Sequence, residues 1–106
     1  MKPKPFVVAE SACAVEAWDD PARGAVTWRT LLSADRTPSD SLTMGVAEVR
    51  ESEPPDLTLH RHAQAEAYYI LSGRGVLRIE DTDHPLTPGA TAFIPGGLLH
   101  GAWATG

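Results

Sequence analysis

A chain of 106 residues makes one domain, with no room for a second independent core. Hydrophobic residues make up 42% and charged residues 22%, which excludes disordered and fibrous classes. Nine basic residues against fourteen acidic ones leave a net charge of −5 without any Lys/Arg cluster, so neither nucleic acid nor an anionic membrane is an expected partner. Cys13 is the single cysteine, which excludes an intramolecular disulfide and a Cys-rich zinc site. No apolar run reaches the length of a membrane span, and the start MKPKPFVVAE lacks the apolar core of a signal peptide. The expectation is a soluble, cytoplasmic protein.

Nine prolines and nine glycines predict frequent turns with short elements between them. Residues 1–23 read as an N-terminal segment with an edge strand at 6–8, and residues 24–106 as the domain proper. Residues 25–32, rich in β-branched and aromatic side chains, predict a strand. A loop follows, then a strand at 42–49 and a break at Pro54-Pro55. Further strands are expected at 57–62, 66–71, 76–80 and 90–94, separated by turns at 72–75, 81–83 and 95–97. No apolar period of 3.6 persists. Short strands with closely spaced turns indicate an all-β sandwich or barrel.

Four histidines occur, at positions 60, 62, 84 and 100. On a strand, His60 and His62 project from one face, and Glu66 shares their parity. A straight strand would still hold Glu66 about 20 Å from His60. The chain must therefore bend at Ala63-Gln64-Ala65 if the three are to meet around one ion. His100 follows a Pro-Gly-Gly turn, from which a neighbouring strand can return it to the same place. Three imidazoles and a carboxylate suit Fe(II), Mn(II), Ni(II), Cu(II) or Zn(II). Spacing alone leaves a metal site and a solvated polar cluster both open.

His60-x-His62-x3-Glu66-x6-Gly73 resembles the first cupin motif, and Gly89-x5-Pro95-x-Gly97-x2-His100 resembles the second. The resemblance implies a double-stranded β-helix, the jelly-roll cupin barrel. It also implies one divalent transition metal ion per chain (Fe, Mn, Ni or Zn), held by His60, His62, Glu66 and His100. Three positions depart from the family pattern: Pro54 replaces the opening glycine, Ala104 replaces the closing asparagine, and the sequence stops at Gly106 where cupin barrels normally continue. The expectation for an open barrel is that the N-terminal segment or a second subunit completes it, or that this is a truncated form; of these a homodimer is expected.

Strand parity puts Tyr68 and Ile70 on the face of Glu66, with Tyr69 and Leu71 on the other. Tyr68 is thus the candidate acid–base residue, against the alternative of core packing with a satisfied hydroxyl. Trp28, Met44, Val46 and Phe93 read as barrel core. Arg50 and Arg78 are the available partners for a substrate carboxylate or else exposed strand residues, and His84 reads as a surface turn residue. The implied function is a metal-dependent enzyme on a small organic acid, sugar or aromatic compound, with the metal as Lewis acid or O2 activator. One alternative is a cupin that binds or senses a small ligand without catalysis. A sharper one is β-elimination with Tyr68 as base, because the ligand set and the Glu66-x-Tyr68 pair resemble the small cupin dimethylsulfoniopropionate lyases.

Overall fold

A computed structural model describes residues 3–18, 26–51 and 58–106. Among them lie a 3-10 turn at Glu10–Ala12 and eight strands: β1 Glu16–Ala17, β2 Val26–Leu32, β3 Met44–Val49, β4 Glu66–Tyr69, β5 Gly75–Ile79, β6 Thr82–Leu86, β7 Thr91–Ile94 and β8 His100–Ala104. All strand pairing is antiparallel, as the all-β reading requires. The chain divides into two compact units, one holding β1–β3 and the other β4–β8. The boundary expected after residue 23, the Pro54-Pro55 break and Leu57 all lie outside the described residues.

In the first unit the order is β1-β2-β3. β2 carries Val26, Thr27, Trp28 and Thr30, residue types that suit a pleated, half-buried surface. Trp28 packs against Trp18 with the ring planes tilted by 57° and the centroids 5.0 Å apart. Arg29 donates to the carbonyls of Glu10 and Cys13 at 3.0 and 3.1 Å, tying the N-terminal turn to the sheet. The edge strand expected at 6–8 does not form. Pro3 and Pro5 remove backbone donors there, and Phe6 instead lines an open groove with Leu32 and Leu42. Met44, expected in the core, is 53% exposed.

The second unit holds the sheets β4-β7 and β6-β5-β8. Its core is Leu77, Leu86 and Ile94, against which Tyr68, Ile70, Ile79, Ala92 and Ala102 pack. Register and alternation explain this set: Leu77 lies opposite Ala102, and Ala92 opposite Tyr68, so these side chains share the inner face. By the same parity Phe93 points outward and is 67% exposed, which corrects its assignment to the core.

Three further expectations about elements change. The strand at 76–80 and the turn at 81–83 become the hairpin β5–β6, whose two-residue loop is Glu80-Asp81, with Glu80 at φ 53°. Asp81-Thr82-Asp83-His84-Pro85 has turn-like composition, yet Arg78 holds Asp83 across the ladder at 2.6 and 3.0 Å. Pro85 is tolerated because β6 is an edge. His84 is therefore an exposed strand residue rather than a turn residue. Of the strand expected at 57–62, only a bridge between His60 and His100 forms.

Candidate metal centre

β4 aims Glu66 and Tyr68 to one side and Ala67 and Tyr69 to the other, half-buried against exposed. Glu66 lies opposite Ile94 on β7, whose side chain is buried. His100 opens β8, opposite Ile79. On the backbone, His60 and His100 each donate an N–H to the other's carbonyl, at 2.9 and 2.8 Å. The chain then bends after His62, as the spacing of His60, His62 and Glu66 requires, and the His62 carbonyl accepts the Gly97 N–H at 2.7 Å.

These connections gather the imidazoles. His60, His62 and His100 each offer a ring nitrogen, and the three atoms lie within 4.8 Å of one another. Glu66 stands against two of them, with Oε2 2.9 Å from His100 Nε2 and Oε1 3.5 Å from His62 Nε2. His100 is buried, His62 and Glu66 are half-buried, and His60 is exposed. The cluster thus has a buried floor and one imidazole at the surface.

Two backbone carbonyls decide what the cluster can hold. His62 Nδ1 lies 2.8 Å from the Gln64 carbonyl, and His100 Nδ1 lies 2.9 Å from the Leu98 carbonyl. A carbonyl only accepts, so each neutral ring keeps its proton on Nδ1 and turns an Nε2 lone pair inward. Glu66 Oε2 and His100 Nε2 are buried without a hydrogen-bond partner, although they are 2.9 Å apart. Two donors at right angles, each about 2.1 Å from an ion, are themselves about 3 Å apart. The residues fit a divalent cation, and the orienting carbonyls are the outer support such ligands normally have. Neither carbonyl carries a sequence signal, because any residue supplies one.

Residues 47–106 match the cupin domain family. The chain is a cupin. It is 34% identical over 85 residues, 80% of its length, to the dimethylsulfoniopropionate lyase DddW of Ruegeria pomeroyi, and the match spans 55% of that relative. Among solved structures, an RmlC-like cupin from Shewanella frigidimarina superposes with TM-score 0.68 at 15% identity, covering 98% of this chain and 84% of the other. Fe(II) HppE superposes with TM-score 0.77 at 20% identity, covering 95% of this chain and 54% of the other. Those likenesses give the fold: the jelly-roll class of the cupins.

Within this cupin, Tyr68 is half-buried against the core and beside the Glu66 carboxylate. Burial first, and then the Glu66 charge, push its hydroxyl well above the ordinary tyrosine range. Arg78 is engaged by Asp83 and lies 5.2 Å from the Trp103 ring, on the face away from Leu77. Arg50 is exposed. Among the described residues, no hydrogen bond or ion pair joins either arginine to the imidazole cluster. His84 lies outside the triad formed by the other three histidines.

Proposed function

We propose that this cupin is a divalent-metal-dependent lyase that releases dimethyl sulfide from dimethylsulfoniopropionate by β-elimination. The observation that carries the reading is the Tyr68 phenol beside the Glu66 carboxylate, on the same side of β4 as an imidazole cluster suited to a cation. Its support from another protein is the 34% identity to a dimethylsulfoniopropionate lyase over 80% of this chain.

His60, His62, Glu66 and His100 would hold the ion. A bound divalent ion withdraws electron density from a substrate carboxylate and makes the adjacent C–H bonds more acidic. The Tyr68 oxygen takes the α-proton. The electron pair of that C–H bond becomes the new carbon–carbon double bond as the β-carbon–sulfur bond breaks. The pair from the broken bond leaves on sulfur, giving neutral dimethyl sulfide, acrylate and one proton. Because burial and Glu66 raise Tyr68, the phenolate needs a compensating positive charge nearby. Base and cation site are in this way linked: without the charge Tyr68 keeps its proton.

Headspace measurement of dimethyl sulfide tests the reading. Release should require added Fe2+, Mn2+, Ni2+ or Zn2+, and Tyr68→Phe should lower it by about 100-fold or more, the usual contribution of a general base. No release with any of the four ions removes the reading. The raised Tyr68 favours a second one, in which the phenol donates a hydrogen bond to a small anionic ligand that is bound and not turned over. Thermal stabilisation by such a ligand without product would support it.

A further inference from the structure

Gly96 has no side chain to offer the ion, yet the backbone around His62 rests on it. The three carbonyls of residues 62–64 face separate partners. The His62 carbonyl accepts the Gly97 N–H at 2.7 Å, and the Gln64 carbonyl accepts from His62 Nδ1 at 2.8 Å. Between them the Ala63 carbonyl lies directly over Gly96. A methyl group built on Gly96 would overlap the Ala63 oxygen and come within 3.0 Å of its carbon. Backbone atoms this close cannot rotate aside as a side chain would, so one of the two turns must move.

Which turn yields follows from how each is anchored. The turn containing Gly96 runs between Ile94 and His100, each 1% exposed. Residues 63–65 and 95–97 are all exposed, but the stretch 63–65 runs between His62 and Glu66, which are only half-buried. The turn at 63–65, the less firmly anchored of the two, therefore gives way, and with it go the His62 backbone and the Gln64 carbonyl that orients its ring. His60 and His100 are held by their own reciprocal hydrogen bonds at 2.9 and 2.8 Å.

We infer that Gly96 is a positioning residue for His62, its missing side chain setting where the His62 imidazole stands in the cluster. The inference rests on the reading of the cluster as a metal centre. Loss of an outer support for a ligand typically costs 10–100-fold in metal affinity.

The test is Zn2+ affinity, by competition with a chromophoric chelator, for wild type, Gly96→Ala, His62→Ala and the double variant. Gly96→Ala should bind about 10–100-fold more weakly than wild type. In the His62→Ala background the same change should cost less than about twofold, because its route of action is gone. Unchanged affinity in Gly96→Ala, or an undiminished loss in the double variant, overturns the inference and leaves the metal reading standing. A wild type that takes up no Zn2+ overturns both. Should Gly96→Ala fail to fold, hydrogen exchange of the Gly97 amide in wild type supplies the answer. With free Zn2+ at ten times its Kd, exchange should slow about tenfold; an unchanged rate overturns the inference.

Discussion

Glu66 Oε2 and His100 Nε2 lie 2.9 Å apart, both buried and both without a hydrogen-bond partner. The other ring nitrogen of His100 is committed to the Leu98 carbonyl at 2.9 Å, so a neutral ring turns its lone pair toward a carboxylate. A proton between them would satisfy that pair alone. A cation satisfies the pair and the imidazoles of His60 and His62, whose donor atoms lie within the same 4.8 Å cluster.

Removing the buried member of the pair should therefore remove the ion. His100→Ala is expected to lower Zn2+ affinity by more than the 10–100-fold that loss of an outer support costs. His84→Ala, outside the cluster, should leave affinity unchanged. Free Zn2+ at 100 times its Kd should stabilise wild type by about 2.7 kcal/mol, raising Tm by roughly 10–20 °C. Calorimetry of both variants with and without Zn2+ checks this; equal stabilisation of wild type and His100→Ala sinks the ligand assignment.

Tyr68 carries a prediction on the alkaline side. Its folded-state pKa is raised above the ordinary value of 10.0, chiefly by burial and then by Glu66. A raised group contributes stability that is present below its unfolded pKa and lost as pH rises through the folded value. In a Tyr69→Phe background, where Tyr68 is the only remaining tyrosine, phenolate absorbance of the metal-free protein should appear above pH 10. Glu66→Gln should bring it back toward the ordinary value. Ionisation at the ordinary value with Glu66 in place would place the hydroxyl in water.

Much of this was legible in the residue order, where chemistry and spacing agree. The alternation Glu66-Ala67-Tyr68-Tyr69 foretold which side chains turn inward, and the bend at residues 63–65 followed from the distance a straight strand would impose. β6 was not legible, because its Asp, His and Pro are turn formers and only the ladder with β5 makes them a strand. Phe93 was misassigned for a similar reason: in Thr91-Ala92-Phe93-Ile94 a single threonine is the only polar mark on the outer face, and the register with β4 decides it. The carbonyls of Gln64 and Leu98 left no mark at all.

The core of the second unit is small, so each member matters. Leu77 is 0% exposed and sits among Leu86, Ile94 and Ile79. Leu77→Ala removes that apolar surface and leaves a cavity, which should cost about 2–5 kcal/mol. Denaturant unfolding of metal-free protein measures it. Leu71→Ala, where the side chain is 68% exposed, should change stability by less than about 0.5 kcal/mol. Similar losses in the two variants would mean that Leu77 is not the centre of this core.

Acid should loosen the first unit at β1. The Glu16 carboxylate accepts from Arg36 at 3.1 and 3.3 Å and from Thr30 at 2.8 Å. The Arg36 and Thr30 hydrogen bonds hold Glu16 below its ordinary value of 4.5. A lowered carboxylate contributes stability that is present above its unfolded pKa and lost as pH falls through the folded value, so the loss begins from about pH 5 downward. Glu16→Gln keeps the shape and removes the titration. Backbone hydrogen exchange at Ala17 should accelerate with acid in wild type, relative to neutral-pH protection, and should show no such step in Glu16→Gln. The same acid step in both proteins would assign it to another group.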